Sequence, residues 1–181
     1  MANLKLKATS GGSVSFVNGD TASDLTVTFP AVTGTAMVSG NMPVFSAYVG
    51  TAQVVSSGTF TKVACNVEEF DTASCYDTST YRFTPNVAGY YQFNGQTENT
   101  TGGGLRIFVQ FYKNGSEIKR GNDLGLPSGN WGNGGGMVAN ALVYCNGTTD
   151  YVEFYIYDTG GQTIAAGPAT SYFQGFLVRT A

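Results

Sequence analysis

Ten of the twelve carboxylates lie beyond residue 44: Glu68, Glu69, Asp71, Asp77, Glu98, Glu117, Asp123, Asp150, Glu153 and Asp158. They are the groups best suited to acid–base work, so the first question is whether any two form a pair. Glycoside cleavage needs two carboxyls held about 5–9.5 Å apart across one bond. Glu68 and Glu69 are neighbours on an extended stretch, which sends their side chains to opposite faces. Nothing among the rest pairs convincingly. The sequence contains no histidine, which removes the commonest general base and excludes Ser-His-Asp and Cys-His triads. The glycine triplets at 102–104 and 134–136 lack the Lys-Ser/Thr and the strand-to-helix setting of a phosphate cradle. They read as turns. The expectation is a protein that is not an enzyme, with no cofactor and no metal.

Binding is the chemistry left, and "GLPSGNWGNGGGMV" is its clearest candidate. The only tryptophan, Trp131, sits there among glycines and asparagines. The segment from Gly121 to Gly136 reads as one long loop, a length usually tied to function or disorder. Trp131 either caps the end of the domain or packs on a neighbouring subunit. Otherwise it is displayed as a stacking platform, with Asn130, Asn133 and Asp123 as hydrogen-bonding neighbours for a sugar.

The elements that must position these residues are strands. Helical periodicity is almost absent, and alternation at period two is broken by Asn18-Gly19, Asn114-Gly115 and Asn146-Gly147. Candidate strands are "SVSFV", "DLTVTF", "VFSAYV", "TKVACN", "YRFTP", "GYYQFNGQTE", "RIFVQFYKN", "MVANALVYC", "YVEFYIYD" and "YFQGFLVRT". Short strands at this spacing make an all-β sandwich or barrel. Charged residues are 12% of the chain and the net charge is −3, so attraction to nucleic acid is not expected. No stretch approaches the ~20 apolar residues of a membrane span, and no signal-peptide core is seen. Three cysteines, Cys65, Cys75 and Cys145, read as buried free thiols, with a Cys65–Cys75 bridge as the alternative. The Asn-X-Thr/Ser triplets at 99, 114 and 146 read as turns.

A boundary falls near "VSGNMP", dividing a thin segment, 1–40, from a larger one, 44–181. In the first, Leu25, Val27 and Phe29 share a strand face, yet the segment is too small to bury a core alone. In the second, "YVEFYIYD" sets Val152, Phe154 and Ile156 against Tyr151, Tyr155 and Tyr157. "RIFVQFYK" likewise sets Ile107, Val109 and Phe111 against Phe108 and Tyr112. A solitary sandwich needs one apolar face per strand. Phe108, Tyr112, Tyr151, Tyr155 and Tyr157 are therefore expected at an interface between copies, although tyrosines also tolerate exposed strands.

"VFSAYVG", "YRFTPNVAGYYQFN", "VQFYKNGSEI" and "SYFQGFLV" follow one another in an order that resembles the globular head of the complement C1q and tumour-necrosis-factor superfamily. The resemblance covers residues 44–179, and "FTPNVAGYYQF", Phe83 to Phe93, is its most specific part. It implies a ten-stranded jelly-roll sandwich that forms compact trimers. Gly89 is expected to permit a tight turn between two strands, where a side chain would clash or a positive φ is needed, and Asn114-Gly115 a two-residue hairpin. Some heads of this superfamily bind calcium near the trimer axis, but no dense carboxylate loop here supports carrying that over. The stretch "GGSVSFVNGDTASDLTVTFPAVTGT" resembles short modules in tail fibres and head appendages of tailed bacteriophages.

Together these readings describe a trimeric virion appendage, whether tail fibre, head fibre, spike or capsid decoration. It would be made in the host cytoplasm and exposed on the particle. Residues 1–40 would attach it to other virion proteins, and the jelly-roll head would contact a glycan or protein of the host surface. The alternatives are a secreted C1q-like binding protein or lectin of a cell, and a purely structural capsid or tail component.

Overall fold

The computed structural model describes residues 4–16, 26, 28, 31, 37, 38, 40, 42–100, 104–125 and 134–181. The chain separates into two compact units, Met1–Gly34 and Thr35–Ala181.

In the first unit, β1 (Leu4–Lys7) pairs antiparallel with β2 (Ser13–Phe16), with Leu6 opposite Val14. Gly11 turns the chain at a φ of 93°, a conformation open to glycine. Leu6, Val14 and Phe16 all remain exposed. β2 matches the expected "SVSFV", whereas β1 has no counterpart among the expected strands. Leu25, Val27 and Phe29 lie outside the described residues.

The second unit is a two-sheet sandwich. One sheet contains β3 (Val44–Tyr48), β6 (Val67–Asp71), β9 (Gly89–Glu98), β12 (Gly136–Cys145) and β15 (Tyr172–Thr180), in the order β12-β9-β15-β3-β6. The other contains β5 (Thr61–Lys62), β7 (Tyr76–Asp77), β8 (Arg82–Phe83), β10 (Arg106–Lys113), β11 (Ser116–Gly125) and β13 (Val152–Asp158). Its order is β11-β10-β13-β8-β7, with β5 also paired to β13. A ribbon of β4 (Gln53–Val55) and β14 (Gln162–Ile164) completes the unit. The all-β sandwich expected from the alternation is borne out.

The core follows from that alternation. Along β9 every second residue is buried, and Tyr91 and Phe93 point between the sheets, as expected. The ring of Phe45 stacks on Phe83 at 4.6 Å and on Tyr76 at 4.9 Å. Phe93, Phe111, Phe154 and Phe173 fill the space beyond with tilted rings. Cys65, Cys75 and Cys145 are free and buried in this core.

Of the two reasons expected for glycine at position 89, the side-chain clash holds: Gly89 opens β9, and a Cβ there would lie 2.4 Å from the Arg179 carbonyl oxygen. One local expectation is corrected. The long loop expected from Gly121 starts later, because β11 runs on to Gly125 through pairs such as Phe108 with Asp123 and Ile107 with Leu124. Long-range pairing to β10 outweighs the loop-like local composition. At the other end of that hairpin the expectation holds: Asn114 and Gly115 have φ values of 53° and 79°, the positive pair of a two-residue type I′ turn.

Candidate functional site

The outer face of the six-stranded sheet carries the five aromatics expected at an interface. β10 and β13 set Phe108 opposite Tyr157 and Gln110 opposite Tyr155. Phe108 stacks on Tyr157 at 4.9 Å, and Tyr112 meets Tyr155 at 4.2 Å. Long cationic side chains lie across this stripe. The Arg120 guanidinium is 4.1 Å and that of Arg106 5.0 Å from the Phe108 ring, and Arg82 sits 4.2 Å over Tyr151. Each such contact contributes about 0.5–2 kcal/mol. Phe108 is consequently only 3% exposed within a single chain.

Carboxylates pin the cations in place. Asp123 accepts from Arg106 at 2.6 and 2.8 Å and from Arg120 at 3.1 Å. Those bonds, Arg106's first, hold its carboxyl below the usual carboxylate range. Glu153 is buried and meets Lys62 Nζ at 2.5 Å and Arg82 Nε at 2.7 Å. Asp123, named from the sequence as a receptor contact, thus already has two arginine partners. Its companions Asn130, Trp131 and Asn133 lie outside the described residues.

The opposite sheet presents a different surface. Cross-strand pairing lays out three rows over its outer face: Leu142–Gln92–Phe176–Val44, Asn140–Asn94–Gln174–Ser46–Phe70 and Val138–Gln96–Tyr172–Tyr48. None of these residues is charged; charge borders them, with Glu98 at the end of the outward row of β9, Glu69 accepting from Ser46 Oγ at 2.7 Å at the β6 edge, Lys113 5.6 Å from the Tyr144 ring and Arg179 5.0 Å from the Tyr90 ring. Leu142 is 56% exposed, Phe176 45% and Phe70 49%, and Val178 and Tyr144 extend the patch along β15 and β12. Val44, Phe70 and Phe176 also border a shallow groove floored by Asn94 and Gln174. Apolar and amide side chains without charge are the composition found at the core of protein interfaces. Sequence reasoning identified "MVANALVYC" as a strand but passed over its outward residues. The signal was there: Val138, Leu142 and Tyr144 alternate with the buried Met137, Val143 and Cys145.

Catalytic chemistry finds little to work with. Among the described residues no three His, Cys, Asp or Glu side chains are grouped to hold a metal ion. Burial pushes the Cys145 thiol up to about 11 and raises Cys65 and Cys75 as well, so none is a ready nucleophile.

No protein-family model and no curated protein matches the sequence. Solved structures do match the sandwich. The fold is that of the C1q and tumour-necrosis-factor proteins. The globular domain of zebrafish complement 1qA is similar over 77% of this chain and 99% of its own, with a TM-score of 0.54 at 14% identity. Murine APRIL is similar over 76% and 99%, with a TM-score of 0.58 at 9% identity. The PRD1 vertex protein P5 is similar over 76% and 97%, with a TM-score of 0.54 at 12% identity. Viral and animal proteins therefore share this sandwich, and the likeness extends to fold alone.

Proposed function

We propose that this C1q/TNF-like chain is a structural appendage of a tailed bacteriophage virion (fibre, spike or capsid decoration) that assembles as a homotrimer and turns its head toward the host surface. The observation that carries the reading is the patch without charged side chains at the centre of the outer face of the five-stranded sheet. A face with Leu142, Phe176 and Phe70 half open to water calls for a cover, and three copies packed around an axis supply it. The number three follows the C1q/TNF resemblance. Placement on a virion is supported by the likeness to bacteriophage appendage modules at residues 1–40 and by the fold shared with a viral vertex protein. The hairpin of the first unit adds to this: Leu6, Val14 and Phe16 form an apolar face too small to stand alone, as suits a segment completed by a neighbouring virion protein.

The test is to purify particles and to express the chain with and without residues 1–40. The full-length protein is expected on particles, the truncated protein is expected folded but absent from them, and antibodies against the head are expected to block adsorption. Normal incorporation of the truncated protein would refute the anchoring role. Adsorption unaffected by the antibodies would leave a purely structural component. The fold shared with complement 1qA and APRIL favours a second reading, a secreted binding protein of a cell. Absence from purified particles would decide for it.

A further inference from the structure

One end of the sandwich holds an unusual group of buried polar atoms. Thr97 Oγ1, both amide atoms of Asn99, Asp158 Oδ2 and both amide atoms of Gln162 lack a hydrogen-bond partner. Thr97, Asn99 and Asp158 are at most 1% exposed and Gln162 is 5% exposed. Buried polar groups in folded proteins are nearly always satisfied, so each of these requires an explanation.

The topology brings the four residues together. Thr97 and Asn99 continue the inward row of β9 past Gly95, and Asp158 continues the inward row of β13 past Phe154 and Ile156. A Cβ on Gly95 would lie 2.7 Å from the Phe154 ring, so positions 95 and 154 face each other across the core. β9 and β13 run in the same direction, because the chain crosses from β9 to β10 at this end and β10 is antiparallel to β13. Thr97 then faces the level of Ile156, and Asn99 the level of Asp158. Asn99 also forms a bridge with Ile164, whose neighbour on the same buried face of β14 is Gln162.

Among the buried acids, Asp150, Glu153 and Asp158, only Asp158 has no cationic partner. Glu153, Asp150, Asp123 and Glu117 each pair with a lysine or arginine. All nine lysines and arginines are among the described residues, and none pairs with Asp158, the most buried acid. Its Oδ1 accepts from the backbone N–H groups of Gly104 at 2.7 Å and Gly160 at 2.6 Å. This orients the carboxylate and leaves Oδ2 without a partner. A buried carboxylate oxygen left without a partner is costly unless a cation or a donor meets it.

We propose that this end of the sandwich is an interior site for a hard cation of the calcium class, ligated by Asp158 Oδ2, Asn99 Oδ1, Gln162 Oε1 and Thr97 Oγ1. The donors are one carboxylate, two amide oxygens and a hydroxyl, with no imidazole or thiolate among them, a set that suits calcium rather than a transition metal. Waters and backbone carbonyls would supply the remaining ligands. A single carboxylate places the affinity in the weak range, on the order of 10⁻⁴–10⁻³ M. The ion would tie the β9–β10 crossing to the β13–β14 connection and so close this end of the sandwich. The assignment lies within one chain and does not depend on the virion reading.

Thermal melts of the full chain, stripped with EDTA, test it. Relative to sodium chloride of matched ionic strength, 10 mM (about ten to a hundred times the expected dissociation constant) calcium chloride is expected to raise Tm by about 3–10 °C. Equilibrium dialysis is expected to give one saturable calcium per chain. Asp158→Asn and Gln162→Leu are each expected to lose most of the shift, and either variant suffices if the other fails to fold. No wild-type shift beyond the sodium control, or a shift retained in both variants, would overturn the proposal and leave the cluster to buried water.

Discussion

Glu153→Gln probes how cations of the same chain come to lie over the aromatic stripe of the six-stranded sheet, whose tyrosines remain half-buried. The substitution keeps the volume and removes the charge that gathers Lys62 and Arg82 over the face. Hydrogen bonds to charged groups contribute about 1.5–3 kcal/mol each, and here one carboxylate oxygen meets two cations. The Glu153 side chain is 2% exposed, but Lys62 is 23% and Arg82 39% exposed. Both cations can regain water when the carboxylate is lost, and that screening lowers the sum. The net expectation is about 2–3 kcal/mol, a sizeable part of a typical 5–15 kcal/mol. For a chain of this length it corresponds to a fall in Tm of about 4–10 °C. Arg82→Lys is the graded control: it keeps a cation near Glu153 but loses the planar stacking over Tyr151, for about 0.5–1 kcal/mol. Thermal melts of both variants at pH 7 provide the measurement. A Glu153→Gln protein melting within about 1 °C of wild type would show that the ion cluster does not hold this face together.

Gly121→Ala should destabilise the sandwich by about 1–3 kcal/mol by overpacking, because its Cβ would lie 2.2 Å from the Val138 carbonyl oxygen. Gly125→Ala, with its nearest atom at 3.8 Å, should melt near wild type, and equal effects would refute the close approach of β11 to β12. Asp77 accepts hydrogen bonds from Ser79, then Thr80, which push its carboxyl from 3.8 down to about 2. A lowered folded value means stability present above about 3.8 and lost as pH falls through about 2. Melts between pH 5 and pH 2 should therefore show a flatter acid limb for Asp77→Asn, and an unchanged limb would count against those bonds.

Much of the sandwich was legible because alternation is a local property. "FTPNVAGYYQF" announces the inward Tyr91 and Phe93 without knowledge of any partner strand. What escaped depends on residues far apart in sequence. The stretch "GNDLG" looks like loop until β10 pairs with it. Phe108 on the outer side of "RIFVQFYK" looks uncovered until Arg120 and Arg106 fold across it. The uncharged centre of the five-stranded sheet's outer face becomes visible only when the register sets Leu142 beside Gln92 and Phe176 beside Val44. Composition hid the buried end cluster for a similar reason. Asn99 opens an Asn-Thr-Thr triplet that reads as an exposed turn, yet it is 1% exposed because β9 carries it into the core.

The central claim, that the uncharged centre of the outer face of the five-stranded sheet is covered by copies of the same chain, is tested most directly by the mass in solution. At micromolar concentration, light scattering should give about 57 kDa for the wild type, three chains of 19.0 kDa. Leu142→Glu combined with Phe176→Glu should give the mass of one chain with an unchanged β-sheet spectrum, since it places two charges in the proposed contact. Phe60→Glu, an exposed position on the other sheet beside Phe108 and Tyr157, should leave the trimer intact. A monomeric wild type, or a trimer lost with Phe60→Glu and kept in the double variant, would contradict the account.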